Sequence, residues 1–503
     1  MEIKAIAGDI TQVESPAIIV NLFEGVEAPG GATGAADRAL GGAISNLIAD
    51  GEIRGKKGEI TIIHTLGRIP AARVVVAGLG KAESFTPEAA RRVTAAVCRR
   101  LRSAGVRRAA TIVHGAGIGG LDVRDAAQAV AEGGLLGLYT FRRYFSKNED
   151  ADRTLDELSV VEQDASRLAD IESGLERGRI FAEAAMLARN MVNEPPNHMT
   201  PTHIADIAAG LASEHALEST ILDSPQMEEL GMGGLLGVAK GSVEPPKFIV
   251  LTYKGDPDNP DNNLGLLGKG ITMDTGGISL KTSAAMFSMK SDMSGAAAVV
   301  SAIGAIAQLK PRLNVTAIAA CTENMPSGSA QKPGDVLRTM SGKTVEVENT
   351  DAEGRLALSD ALAYARQMGI TRLVDVATLT GAIVTALGDV CIGAFTNNDE
   401  LLDSVIAAGE ACGERIWELP MYEEYKEQNR SQVADVKNTG GARAGSITAA
   451  QFLAEFSEDT PWVHLDIAGT AMTDRESGYQ VRGATGVPTR TLIRLAEDLA
   501  AQG

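Results

Sequence analysis

The stretch "NTDAEGRL", residues 349–356, sets Asp351, Glu353 and Arg355 at every second position behind the strand-like run "TVEVEN". Extended backbone sends residues two apart to the same side, so these three can face one pocket. A second stretch, "GKGITMDTGGISLK", supplies Lys269, Asp274 and Lys281, and "MKSDMSGAA" supplies Asp292 just ahead of a helical pattern. Four carboxylates in one pocket repel each other, and without cations at least one has to stay protonated. Divalent metals relieve that repulsion. Carboxylates suit hard or borderline ions, and bridging carboxylates are what an ion pair about 3.5–4 Å apart requires. A lysine joins such a set only as a neutral amine, which a neighbouring ion enforces by depressing its pKa. The metal-free alternative is an ion-pair cluster of the same acids with Lys269, Lys281 and Arg355. Gly268, Gly270, Gly276, Gly277 and Gly354 surround these residues, where bare backbone permits close approach or positive φ.

Other chemistries find less support. "GAGIGG", Gly115–Gly120, matches G-x-G-x-x-G after a strand-like run, but no clear second strand ending in an acid follows its helix, so it reads as a flexible turn. "SGKT" at 341–344 lacks the first glycine of a phosphate loop, since position 337 is leucine. The six histidines form no H-E-x-x-H, and His464, alternating within "WVHLDIAG", reads as a satisfied strand residue. A G-x-S-x-G elbow is also missing, which leaves carboxylates and amines to carry any reaction.

The elements that must position these residues follow an α/β rhythm. "PAIIVNLF", "GEITIIHTL", "ARVVVAGLG" and "AATIVHG" alternate with helical runs in the first part. One of those helices is capped by Thr86, opened by Pro87 and closed by Gly105; its arginines, Arg91, Arg92, Arg99, Arg100 and Arg102, read as a solvated face. A long helix over 164–193 ends at "NEPPNHMTP", where two prolines stop it. Beyond it, "KFIVLTYKG", "LGLLGKG", "VTAIAAC", "TVEVEN", "RLVDVATLTG" and "WVHLDIAG" are separated by several helical patterns. This predicts a doubly wound, mainly parallel sheet covered on both faces. The expected organisation is an N-terminal α/β domain over 1–163, a linking helix over 164–193 and a C-terminal catalytic domain over 194–503. In such a sheet ligands sit beyond the carboxyl ends of the strands, where the acidic stretches fall.

Composition narrows the partners. A length of 503 residues exceeds what one core organises, and 44% hydrophobic with 22% charged residues describes a soluble globular chain. The net charge of −18 disfavours nucleic acid and acidic membrane surfaces. Four scattered cysteines without a C-x-x-C pair fit a reducing cytoplasm, and the N-terminus carries no secretion signal. The apolar run at 376–387 is too short to span a bilayer and reads as buried core.

"NTDAEGRL" resembles the signature of the leucyl aminopeptidase (cytosol aminopeptidase) family, and "GKGITMDTGGISLK" with "MKSDMSGAA" resembles that family's other active-site segment. The likeness continues through "NEPPNHMTP", "DVATLTGA", "AGSITAAQFL" and "HLDIAGT", and more weakly through "VVVAGLGK" and "LGLYTFRRY". It implies a metal-dependent aminopeptidase that releases an apolar first residue such as Leu or Met from peptides with a free N-terminus. It further implies two divalent ions per subunit, Mn or Zn foremost with Mg and Co as alternatives, and a homohexamer. On this pattern Lys269, Asp274, Asp292 and Glu353 hold the tighter ion, and Asp274, Asp351 and Glu353 the exchangeable one. Lys281 matches an electrophilic lysine, and Arg355 an arginine holding a bicarbonate that acts as general base. Met289, Thr378 and Gly381 fall where the family lines its side-chain pocket, although ordinary core explains them equally. Thr282 departs from the proline often found after the lysine. Two-metal phosphoester hydrolysis and an added DNA-binding role through the Arg91–Arg108 cluster are the rival readings.

Overall fold

A computed structural model of the chain describes residues 1–147 and 153–502. It forms two compact units, Met1–Glu183 with Asp474–Val481, and Ala184–Thr473 with Arg482–Gly503. The segment Asp474–Val481, expected in the catalytic domain, groups with the first unit because Arg99 Nε meets Glu476 at 2.5 Å within it.

The first unit is built on a six-stranded sheet in the order Glu2–Ala7, Glu157–Glu162, Arg108–Thr111, Ala17–Phe23, Arg73–Gly80 and Ile60–His64. All neighbours are parallel except the last pair. Alternation along Ala17–Phe23 explains its two covered faces: Ile18, Val20 and Leu22 join one core cluster, while Ala17, Ile19 and Phe23 join the other. The helix Pro87–Ser103 starts at Thr86, whose hydroxyl accepts from the Ala89 amide. Its arginines are not simply a solvated face. Arg91 is buried with Nε 2.8 Å from Glu132, because Gly133 lets the neighbouring helix Val123–Leu138 approach Arg91's own backbone. Arg92 pairs with Glu88 at 2.6 Å.

The second unit carries an eight-stranded sheet in the order Ile416–Glu418, Ile392–Thr396, Trp462–Asp466, Leu373–Ala377, Asn263–Asp274, Asn314–Asn324, Lys247–Lys254 and Glu218–Leu222. Its four central strands run parallel. The helix Ser294–Leu309 is apolar all round because it is buried, and it lies tight on the sheet where Gly268 and Gly295 meet; a Cβ on Gly295 would fall 2.0 Å from the Val376 carbonyl. Among the described residues, the segment Met289–Leu309 is the one helical stretch apolar enough to cross a membrane, and 89% of its 18-residue apolar window is buried inside the protein.

Two expectations change here. The run at 376–387 is only partly core: Val376 and Ala377 end a buried strand, whereas the helix Gly381–Leu387, beyond that central strand's carboxyl end, buries Ile383 alone. "TVEVEN" does not join the large sheet. Thr344–Glu346 pairs instead with Val336–Arg338 and Val436–Lys437 in a separate three-stranded sheet.

Candidate metal centre

One central parallel strand, the loop before a helix and two helix starts bring the acidic stretches together. Lys269 and Asp274 lie on Asn263–Asp274, the latter at its carboxyl end, and Asp292 closes the turn Met289–Ser291 before the buried helix. Glu353 is the N-cap of Gly354–Gln367, with φ −77° and ψ −36°. The backbone at 353–355 is therefore helical, not extended; Glu353 and Arg355 are positioned by a helix start, and strand alternation is not what gathers them.

The geometry is close. Single oxygens of Asp274, Asp351 and Glu353 all lie within 4.8 Å of one another. Lys269 Nζ sits 2.7 Å from Asp292 Oδ2 and 2.9 Å from Glu353 Oε1, and donates to the Thr378 carbonyl at 2.9 Å. Lys281 Nζ is 2.7 Å from Asp274 Oδ2 and 2.5 Å from Asp351 Oδ1. Burial pushes the Asp292, Asp351 and Glu353 carboxyls above the usual range, and the neighbouring acids add to the push. The same acids outweigh burial at both lysines and hold them above the ordinary ammonium value.

Glycines make this crowding feasible. A Cβ on Gly354 would fall 2.4 Å from Lys269 Cε, and Gly276, at φ +86°, brings its backbone so near that a Cβ would meet Asp351 Oδ1 at 2.8 Å. Gly277 shares the left-handed conformation at φ +63°.

Arg355 is buried but stands apart from the ion pairs. Its Nη1 donates to the Asn438 carbonyl at 2.8 Å, while its Nε has no hydrogen-bond partner. Burial lowers its pKa to about 10, so it stays charged at neutral pH. Of the three residues expected to line a side-chain pocket, Thr378 is tied to the cluster directly, its hydroxyl donating to Asp292 Oδ1 at 2.8 Å. Met289 is half-buried, and its carbonyl accepts from the Asp292 amide at 3.2 Å. Gly381 is exposed at the first turn of its helix. Thr282 has φ −66°, the value a proline would fix, so the missing ring leaves Lys281 held by its two acids.

Several contributors escape a search for acids and amines. Asn324 Nδ2 donates to Asp274 Oδ1 at 2.8 Å and to the Thr350 carbonyl at 3.0 Å. Asn438 organises the acidic loop, accepting from the amides of Glu348 and Asn349 at 2.9 and 3.2 Å and donating to the Asn349 carbonyl at 2.7 Å. Their only sequence signal is asparagine at a strand end or in a glycine-rich turn. His464 is less satisfied than its strand position suggests. Its Nδ1 is 2.6 Å from Asp375 Oδ1, but its Nε2 is buried without a partner, because Phe395 and Trp462 stack beside the ring.

The residues suit divalent ions. The donor set is hard oxygen, and four carboxylates face only two ammonium groups, Asp292 Oδ2 meeting Lys269 alone and Asp351 Oδ1 meeting Lys281 alone. Known proteins agree. The family model described as the cytosol aminopeptidase family, catalytic domain, matches residues 186–493, and the N-terminal domain model of the same family matches 19–148. Sheet, cluster and matches together define a metal-dependent aminopeptidase. The chain belongs to the cytosol aminopeptidase family. A "Probable cytosol aminopeptidase" of Alkaliphilus metalliredigens (strain QYMF) is 45% identical over 500 residues, 99% of this chain and 100% of that one. Among solved structures, tomato leucine aminopeptidase, as a mutant, superposes with a TM-score of 0.88 at 34% identity, covering 99% of this chain and 96% of the other. The bottromycin maturation enzyme BotP in complex with Mn gives 0.85 at 36% identity, covering 97% and 100%.

Proposed function

We propose that the enzyme removes apolar N-terminal residues, Leu and Met foremost, from peptides at a centre of two divalent ions. The observation that carries this reading is the convergence of Asp274, Asp351 and Glu353 oxygens within 4.8 Å beside Lys269. Lys269, Asp274, Asp292 and Glu353 would hold the tighter ion, and Asp274, Asp351 and Glu353 the exchangeable one. Mn or Zn fits this mixed oxygen and amine set, and the Mn complex of a relative 36% identical supports the former. When bound, the ions supply Lewis acidity and a water reactive near neutral pH.

The chain's own groups do the rest. Lys269 would join the set as a neutral amine, leaving its present pairs with Asp292 and Glu353. Lys281, released from Asp274 and Asp351 as their charge is neutralised, donates to the peptide carbonyl oxygen as negative charge builds there, the role that usually contributes most. Arg355, with its unpartnered Nε, would hold a bicarbonate, which would supply a general base beside the cluster. Thr378, Met289 and Gly381 line the recess for the first side chain. The cluster also reads the substrate's free α-amine. The family resemblance adds a cytoplasmic homohexamer to this reading, which light scattering tests. Hydrolysis of leucine anilide and of its N-acetyl form, each with and without a chelator, tests the reaction: only the free amine without chelator should be cleaved, and equal cleavage of both substrates overturns the reading.

A further inference from the structure

The six-stranded sheet of the first unit takes no part in this chemistry, yet it carries a built cavity. Loops at the carboxyl ends of Glu2–Ala7, Ala17–Phe23, Arg108–Thr111 and Glu157–Glu162 enclose about 600 Å³. That volume is in the range of small-molecule sites, and the carboxyl end of a parallel sheet is where such folds bind them. "GAGIGG" lines it.

The lining mixes bare glycine-rich backbone with polar and apolar side chains. The helix Gly31–Ala39 begins at the cavity with glycine as its N-cap, so the amides of Gly31, Ala32 and Thr33 receive no side-chain acceptor. Ala116, Gly117 and Ile118 in the facing loop donate no backbone hydrogen bond among the described residues. A Cβ on Gly30 or Gly117 would meet nothing within 4 Å and neither has positive φ, so the protein's own packing does not demand glycine at these places. Their bare backbone instead leaves amides open to the cavity. Arg38 stands beside them.

Asp9 lies beyond the edge strand, three strand spacings from Ala17–Phe23, or about 14 Å. Its Oδ1 accepts from the Thr11 amide and hydroxyl at 2.9 and 2.8 Å, leaving Oδ2 as an acceptor beside Ile10 and Val161. Between the two ends, Asn21 gives its Nδ2 to His114 Nδ1 at 3.0 Å, and His114 Nε2 faces the Thr111 hydroxyl at 3.3 Å. Buried His114 is neutral, so this pairing leaves Asn21 Oδ1 for a ligand hydroxyl. Among the lining side chains Asp9 and Glu162 balance Arg38 and Arg167, so the chain's overall charge of −18 does not prevail locally.

We propose that this cavity binds a nucleoside phosphate, with the phosphate on the glycine-rich amides beside Arg38, the sugar at Asn21 and the base between Ile10 and Val161 at Asp9. The turn is not the dinucleotide-binding kind, because its helix starts only at Val123 after a further loop. It serves here as one wall of a different crevice.

Calorimetric titration of the full-length protein with ADP, adenosine and inorganic phosphate tests this, with chelator present so that binding at the metal centre cannot contribute. ADP should bind, with adenosine and phosphate each weaker by roughly a hundredfold or more. Gly117→Leu fills open space at an ordinary φ, so it should fold, keep leucine anilide hydrolysis and lose ADP binding by a similar factor. Absence of ADP binding at millimolar concentration, or undiminished binding by the folded Gly117→Leu protein, overturns the proposal. Binding of phosphate alone as tightly as ADP overturns it too, by reducing the cavity to an anion site.

Discussion

Lys269 decides the charge balance at the centre. It is an ammonium group joining Asp292 to Glu353, and as the neutral ligand proposed above it would have to lose its proton, so metal uptake is predicted to release one. Gly354→Ala tests how tightly this lysine is placed. Alanine gains up to about 1 kcal/mol over glycine in a helix. The added Cβ, however, would fall 2.4 Å from Lys269 Cε and force a buried ion pair apart, which costs about 3 kcal/mol or more. The collision wins, so chemical denaturation should show a net loss of about 2 kcal/mol, together with loss of hydrolysis. Asp351→Ala behaves differently. Its carboxylate is half-exposed and crowded by like charges, so removing it should leave the melting temperature nearly unchanged while turnover falls by roughly a thousandfold or more. An active, folded Asp351→Ala protein contradicts the ligand assignment.

The acidic loop is held by a neighbouring element more than by its own sequence. Asn438, beside the short strand Val436–Lys437, binds the backbone of Glu348 and Asn349 and receives Arg355 on its carbonyl. Asn438→Ala should therefore lower kcat by about 10–100-fold with a smaller change in KM, as loss of a group that orients ligands does. Unchanged kcat in steady-state assays counts against this role. The four acids and two lysines were legible because each lies in a local run of strand, glycine and helix start. Asn324 and Asn438 were not, since they act across distant parts of the chain and asparagine in a turn has many local uses. The alternation of Asp351, Glu353 and Arg355 pointed to a shared pocket for an inexact reason: the chain turns into a helix at Glu353. The same non-locality hid the three-stranded sheet that takes "TVEVEN" from the main one. Buried parallel strands such as Leu373–Ala377 were readable from apolarity alone.

Across the molecule, acid should act on the first unit through His114. Burial lowers its pKa from 6.5 to about 4, so the unfolded chain binds a proton between those values while the native state does not. Stability from this group is complete above pH 6.5 and is lost as pH falls through 4, a loss of about 3 kcal/mol. Denaturation midpoints of His114→Gln should fall less steeply than wild type between pH 7 and pH 4, and parallel curves would refute the assignment. The central claim, that the second unit gathers its acids around two ions, is tested most directly by crystals soaked in manganese and measured at the manganese absorption edge. Two anomalous peaks about 3.5–4 Å apart, enclosed by Asp274, Asp292, Asp351 and Glu353 with Lys281 moved off its acids, are the predicted result. No peak there, with Lys269 and Lys281 still neutralising the carboxylates, would contradict it.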